Sequence, residues 1–547
     1  MFDGEGNLVQ TPFIPVPEPA RLTEDRAKRI FLGYPKVRDW LDRYPRSDRT
    51  VQAEYEEEES SWRVKVWWGE AGQIADGRVD DRSARVTEAW TGPQVAWKMA
   101  RGGPGAFGGE EINRPLVWLG LCAVFLLGLA DLRRPLSLRN LDLLALLSFS
   151  ISLWFFNRGE IFASALLAYP PLLYVLARMT WVGITARSAP TRPVWPVWLL
   201  VAATVFLVGF RVGLNVETSN VIDVGYAGVI GGHRIVNGEA PYGHMPVQGN
   251  RPACGPADRE GEIRERVQTN GRCESSNERG DTYGPASYLA YVPGYALFGW
   301  TGKWDDLPAA HFTSVAFDLL CLIGLALVGW RFGGGRLAAA LPFAWAAYPF
   351  TQYASMSNTN DAILPAFLIF GFFFAASPAL RGGFSALAGW TKFAALVVAP
   401  LWASYPELRL RRAGVYVVGF VAATAAAFSI LLLEPDAIEA ARTFWDRTLG
   451  WQLDRESPFS IWDWGQYHAR GIPDLSVPHQ VVKALVVTGA LAAAFYPRRK
   501  SPLQLAALTA ALLVAFELVL THWFYLYIPW FFPFVAFALF ARDRSEA

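Results

Sequence analysis

Long apolar runs and polar gaps alternate along most of this chain. Runs of membrane-span character occupy roughly 115–131, 141–156, 161–180 and 195–214. More follow at roughly 308–330, 337–353, 362–377, 383–404, 413–433, 481–496, 503–520 and 523–540. Several are shorter than the ~20 residues of an untilted span, which predicts irregular helices or helices shielded by neighbours. Two polar stretches, 215–285 and 434–480, interrupt the series. The first 110 residues keep a different rhythm. Thr23 to Tyr44 reads as one helix, capped by Thr23, with Glu24 and Asp25 in its first turn. Ala27, Ile30, Phe31, Val37, Trp40 and Leu41 supply its apolar face, and Pro45 ends it. Trp62, Val64, Val66 and Trp68 then alternate with Arg63, Lys65 and Trp67, the period of a half-buried strand. The acidic run Glu56 to Glu59 reads as a solvated turn, and Gly102 to Gly109 as a flexible linker. The pattern predicts an all-α polytopic membrane body behind a small α+β soluble domain. Its parts are a soluble domain over 1–101, a linker over 102–114, accessory membrane helices over 115–193 and the main body over 194–547.

Composition supports a membrane body over a string of soluble domains. The 547 residues are 52% hydrophobic and only 18% charged, against about 25% charged in soluble domains. A net charge of +1 argues against a nucleic-acid partner. No basic-then-apolar leader opens the chain, so a cleavable signal peptide is not expected.

Basic clusters set the expected orientation. They comprise Arg133, Arg134 and Arg139; Arg187 and Arg192; Arg331 and Arg336; Arg409, Arg411 and Arg412; Arg498, Arg499 and Lys500; and Arg542 and Arg544. Placing them all in the cytoplasm puts both polar stretches and the soluble domain outside, and the C-terminus inside. The run 383–404 breaks this alternation. A broken pair restores it, with Gly383 to Thr391 climbing, a turn near Lys392, and Phe393 to Ser404 returning. Gly382, Gly383 and Gly389 would ease its packing. The count becomes about 13 passes. Lys392, in an apolar run, is either functional or a snorkelling side chain. Asp318 and Glu517 lie in similar runs and can equally pair within the bundle. Cys122 and Cys321 read as buried thiols. Cys254 and Cys273 share the first polar stretch as a disulfide or two free thiols, the former requiring an oxidising compartment.

Within 215–285, Asp223 and Glu217 compete as catalytic carboxylates. Three motifs follow in order: Asp223-x-x-Tyr226, Gly238-x-x-Pro241-Tyr242 and Tyr283-Gly284-Pro285. Beyond them lie H-F-T-S-V-A-F-D-L-L from His311, S-N-T-N-D over Ser357 to Asp361, and A-G-W-T-K ending at Lys392. S-P-F-S-I-W over Ser457 to Trp462 and H-W-F-Y-L-Y-I-P-W-F-F-P from His522 complete the set. Over roughly residues 195–540 this ordered set resembles the GT-C membrane glycosyltransferases, glycosyltransferase family 87 of the polyprenol-phosphate-mannose-dependent type. Helix, strands and a closing D-D-R-S-A-R-V-T-E-A-W-T-G from Asp80 resemble a PepSY-type domain over roughly 20–95.

The first resemblance implies inverting transfer of a sugar, by default mannose, from a polyprenyl-phosphate donor. The acceptor would be a lipid, glycan or protein outside the cytoplasm, at the plasma membrane. It makes Asp223 the base that takes the acceptor hydroxyl's proton. A fixed cation must then meet the growing charge of the leaving phosphate. Lys392 and His522 are candidates and Arg234 a weaker one, while His522 reads equally as an interfacial helix cap. Tyr226 would orient Asp223, and Tyr242 and Tyr283 fall in the motifs that line the donor loop. Asn358, Asn360 and Asp361 orient a sugar or cap a helix. Trp462 and Trp464 stack on a sugar or sit in the interfacial aromatic belt. The helix near Pro435 to Leu449 lies on the membrane and guides the prenyl chain in this reading. No cofactor is expected: histidines are scattered and a P-loop is absent, though a divalent cation at the lipid phosphate stays open. Two other classes remain, a transporter and a membrane-anchored sensor. The first would show repeated halves, which are not evident; the second would lose all function with residues 1–110.

Overall fold

A computed structural model describes residues 19–187, 195–254, 265–268, 271–304 and 307–541. Arg192, Arg542 and Arg544, used for orientation above, lie outside the described residues. The chain divides into two units, 1–101 with 464–474, and 102–463 with 475–547.

In the smaller unit the expected single helix is two, Glu24–Gly33 and Pro35–Leu41. Tyr34, before a proline, takes the extended conformation that such residues prefer, and the helix breaks there. Thr23 stands at the N-cap without a side-chain bond. Four strands follow, Arg49–Glu56, Ser61–Trp68, Gly72–Asp80 and Val86–Thr91, as an antiparallel meander in chain order. The predicted alternation holds: Val64 and Val66 are buried, as are Ala27, Phe31, Val37 and Leu41 on the two helices. Gly77 admits the Phe31 ring, since a Cβ there would lie 2.5 Å from it. Glu57–Glu59 is a short 3-10 turn, with Glu56 3.1 Å from Arg78 and Glu59 paired to the same arginine. A piece of the second polar stretch, 464–474, completes this unit, which no pattern in the chain announces. The Tyr44 hydroxyl donates to the Tyr467 carbonyl (2.8 Å), and Arg470 N–H to the Arg43 carbonyl (3.0 Å).

The larger unit is helical. Among the described residues, six helices are long and apolar enough to cross a membrane. They are Leu138–Phe156, Ile161–Thr185, Val197–Thr218, Pro308–Gly333, Leu410–Leu433 and Ser476–Phe495. Five shorter apolar helices accompany them: Pro115–Leu129, Asn360–Phe373, Phe393–Ala403, Pro502–Leu518 and Tyr525–Phe540. Length sorts the layers. Only 17% of the most apolar stretch of Val197–Thr218 is buried, and 22% of that of Leu410–Leu433. Nearly all of Pro502–Leu518 and of Ile528–Phe540 is enclosed. A helix apolar all round belongs in the interior, where its shortness is covered by longer neighbours. Val197–Thr218 turns one stripe inward, Leu200, Leu207, Arg211 and Asn215. Arg211 meets Asp318 at 2.5 and 3.0 Å, and the Trp345 indole donates to the same carboxylate. Asp142 likewise accepts from Tyr174 and Arg178. Asp318 is therefore a structural pair, and Glu517 accepts from the Trp523 indole at 3.0 Å. Arg139 is buried on a helix, not in the loop assigned to it above.

The run 383–404 breaks as expected, into Pro378–Gly389 and Phe393–Ala403 with Lys392 between them. Gly382 and Gly419 bring the first piece into backbone contact with Leu410–Phe428: Cβ atoms there would lie 2.1 Å from the Tyr416 oxygen and 2.0 Å from that of Ala379. A second break was not expected. The run 337–353 splits at Tyr348 into Gly335–Ala347 and Pro349–Met356, again before a proline. The glycine-rich segment 102–109 is also not the free linker expected. Gly102, Gly103, Gly105, Gly108 and Gly109 all have positive φ and serve sharp turns. Asn220 donates to the carbonyls of Gly105 (3.1 Å) and Ala106 (2.9 Å), and Phe107 packs 4.6 Å from Phe524.

Cys254 and Cys273 are joined, beside the two short strands Glu265–Val267 and Cys273–Ser275. Non-reducing digestion and mass spectrometry should return the two peptides linked. Replacing both cysteines with serine should cost about 3 kcal/mol for a loop of this size. Free thiols at both positions, in protein isolated without reductant, would contradict the fold of this loop.

Candidate active site

Asp223 opens the helix Asp223–Val236, a few residues after Val197–Thr218 ends. Its position is fixed from behind by the segment 357–358. Ile222 N–H donates to the Ser357 carbonyl (3.4 Å). Asn358 donates to Ser219 Oγ and to the Asn220 carbonyl, both at 2.8 Å, and accepts from Asn215 at 2.9 Å. Asn358 has φ +50°, the left-handed region that asparagine tolerates. Gly225 lies so close to this loop that a Cβ would sit 2.1 Å from the Asn358 oxygen. Asp223 keeps an exposed surface, while protein packs densely around its carboxylate. Burial pushes its carboxyl above the ordinary range; Arg455, the Val224 N–H and Lys392 pull the other way.

Opposite stands a paired lysine. Lys392 Nζ lies 2.5 Å from Asp361 Oδ1. That oxygen also accepts from the Trp530 indole (3.0 Å), and Oδ2 accepts from Thr359 Oγ1 (2.7 Å). The ammonium sits over the rings of Tyr527 and Trp530, each 5.0 Å away, and of Tyr283 at 5.5 Å. Tyr283 is held in turn, its N–H on the Tyr288 hydroxyl (3.2 Å) and its carbonyl on that of Tyr242 (3.0 Å). The following Gly284 abuts Trp390, where a Cβ would be 2.1 Å from the carbonyl oxygen.

The second loop brings Arg455. Arg447 donates to Asp281 (2.7 Å) and Gln452 to Thr282 (2.8 Å), tying this loop to the turn before Tyr283. Arg455 stacks on Trp451 at 4.8 Å and reaches His522 Nε2 at 3.5 Å. An arginine only donates, so His522 Nε2 accepts, and its Nδ1–H donates to Ser457 Oγ (2.9 Å). Burial, with Arg455 and Lys392 nearby, holds the imidazole well below its ordinary pKa. His522 is therefore neutral and is not the phosphate cation considered above.

Asp223, Tyr283, Asp361, Lys392 and His522 thus meet, and the remaining candidates do not. Tyr226 is buried, stacked 4.3 Å from Trp304, with its hydroxyl on the Ser275 carbonyl; it cannot orient Asp223. Tyr242 only supports Tyr283. Asn358 and Asn360 are enclosed, and Asn360 donates to Ser287 at 2.8 Å, so neither is presented to a sugar. Trp462 stacks on His479 at 4.7 Å and donates to the Leu518 carbonyl, so its ring is not offered to a sugar. Trp464 is buried in the smaller unit. Arg234 is spent on Glu274 (3.0 Å), and Glu217 is exposed on a helix end. Arg455, Tyr527 and Trp530 went unnoticed in the sequence. Nothing in spacing separates Arg455 from Arg442, Arg447 or Arg470, and the two aromatics hide in an aromatic-rich helix start.

Among the described residues no three histidine, cysteine or acidic side chains gather as ligands, and both oxygens of Asp361 are committed. Against protein-family models, curated proteins and solved structures, the chain matches nothing.

Two glycines carry the geometry, so they give a test without touching a functional group. Gly225→Ala and Gly284→Ala should each destabilise by about 1–3 kcal/mol through overpacking. Gly414→Ala, with open space at its Cβ, should not. Thermal unfolding in detergent reads the difference, and equal melting of all three would show that these contacts do not fix the site.

Proposed function

We propose that the chain is an integral plasma-membrane glycosyltransferase of the GT-C type, similar to glycosyltransferase family 87. It moves a sugar, mannose by resemblance, from a polyprenyl-phosphate donor to a lipid, glycan or protein acceptor outside the cytoplasm. The observation that carries this reading is an accessible Asp223 at a helix start, with Lys392 and Arg455 as neighbouring cations. In this reading the acceptor hydroxyl gives its proton to Asp223 while its oxygen bonds the anomeric carbon from the face opposite the phosphate. The sugar–phosphate bond breaks with its electron pair on the phosphate oxygen. Lys392 and Arg455 meet that charge as fixed cations. A raised Asp223 pKa keeps the carboxylate basic enough to accept the proton.

The basic clusters support a body of about 13 passes with its C-terminus inside. They also support both loops and the PepSY-like soluble unit on the outer face. The second loop supplies both Arg455 and the 464–474 segment of the soluble unit, which favours one side for both.

Asp223→Asn keeps the shape and loses the base. Sugar transfer should fall by ~10²–10⁴ while donor binding persists. In the parent enzyme the acid limb of the rate profile should lie above the ordinary aspartate value of ~3.9, because acidification protonates a carboxyl whose pKa is raised. Glu217→Gln should transfer normally; the reverse pattern reassigns the base, and two active variants remove the enzyme reading.

The side of the soluble unit is tested separately. Glu58 is exposed on the turn between the first two strands. Glu58→Cys should react with an impermeant thiol reagent in intact cells. Labelling only after lysis places the unit in the cytoplasm.

A further inference from the structure

The Lys392–Asp361 pair lies where three pieces of chain meet: the 357–361 segment, the break at Lys392 and the start of the last helix. We propose that Asp361 is a positioning residue for Lys392, not a ligand-binding group. Its carboxylate aims the ammonium so that two protons remain for a phosphate oxygen bound beside Asp223. This rests on the glycosyltransferase reading and deepens it by assigning the device that keeps the phosphate cation in place.

The geometry divides the labour. Asp361 is 1% exposed, and both its oxygens are occupied, by Lys392 and Trp530 on one and Thr359 on the other. No face of it is left for a sugar hydroxyl. An ammonium carries three protons, and Asp361 takes one. Among the described residues the ammonium's only hydrogen bond is to Asp361, and it lies over the ring faces of Tyr283, Tyr527 and Trp530. Rings attract the charge but accept weakly, so the remaining two protons stay available. A lone buried amine would shed its charge to escape desolvation; a fixed carboxylate prevents that. Trp530 and Thr359 keep that carboxylate from following the lysine when the lysine turns to a ligand.

The test is a binding cycle on the full-length protein in detergent, with farnesyl phosphate as probe and calorimetry as readout. Melting is recorded on the same samples. The parent protein should bind. Lys392→Met and Asp361→Asn should each weaken binding roughly tenfold or more. The double variant should bind no worse than Lys392→Met alone, because Asp361 acts only through the lysine. Trp530→Phe removes one donor and leaves the pair, and should weaken binding by about threefold.

A double variant whose loss is the product of the two single losses would show Asp361 touching the ligand independently, and the inference falls. It falls also if folded Asp361→Asn binds like the parent. Should Asp361→Asn fail to melt cooperatively, Trp530→Phe decides, and unchanged affinity there overturns the inference. A parent protein that binds no farnesyl phosphate removes the phosphate reading of the site and this inference with it.

Discussion

A carboxylate–ammonium pair enclosed at the end of a helical bundle is the constraint on which this architecture turns. Two charges so placed are costly to desolvate, and removing one partner typically costs about 3–5 kcal/mol. The Lys392–Asp361 pair can persist only if the chain delivers both groups to one point, with donors for the remaining lone pairs. Each of the three contributing segments is irregular. Lys392 lies where an apolar run breaks, Asp361 in a 3-10 turn before Ile363–Phe373, and Trp530 in the first turn of the last helix. Regular spanning helices would carry their side chains past one another. Breaking them leaves ends, and ends can be pointed inward.

Broken helices leave backbone groups unpaired, which a lipid environment does not forgive. The layering answers this. Long helices with exposed apolar faces accompany two short ones, Pro502–Leu518 and Ile528–Phe540, that are almost wholly enclosed. Buried polar contacts then fasten layers together: Arg211 to Asp318 on the way to the site, and Asn215 to Asn358 directly behind Asp223. Asn358 is thus neither a sugar ligand nor a simple helix cap. It closes the joint from which Asp223 projects. The glycine-rich 102–109 segment does related work, docking its carbonyls on Asn220 in the same joint.

The legible parts of the fold were those in which charge or period forced one answer. The break at Lys392 followed from arginines that had to alternate sides. The alternating strand at Trp62–Trp68 followed from period two. What escaped has physical causes of its own. Glycine-rich sequence was read as slack, but glycine also permits positive φ and close approach, and sequence alone does not separate these uses. The breaks at Tyr34 and Tyr348 needed more weight on the residue before proline than on the continuous apolar pattern. Asparagines in S-N-T-N-D suit a sugar site and a buried joint equally, and burial, unknown to the sequence, decides. Arg455 is selected by a loop tied down elsewhere, through Arg447 on Asp281, so its role depends on contacts far along the chain.

Charge bookkeeping closes the argument for the proposed chemistry. Asp223 and Asp361 carry two negative charges, and Lys392 and Arg455 two positive, with His522 neutral. A phosphodiester donor adds one negative charge. When the proton passes to Asp223 and the sugar–phosphate bond breaks, that total does not change. One unit of negative charge leaves Asp223 and appears on the phosphate. A site that only attracted anions would hold the starting complex and the transition state equally and gain no rate. In the proposed transfer the cations gain rate only as far as they lie nearer the developing phosphate charge than the Asp223 carboxylate, so that they favour the end of the transfer over its start. Neutral His522 matters for the same reason. A third cation beside Arg455 would hold Asp223 more firmly ionised, depress its basicity, and weaken the group that must take the proton.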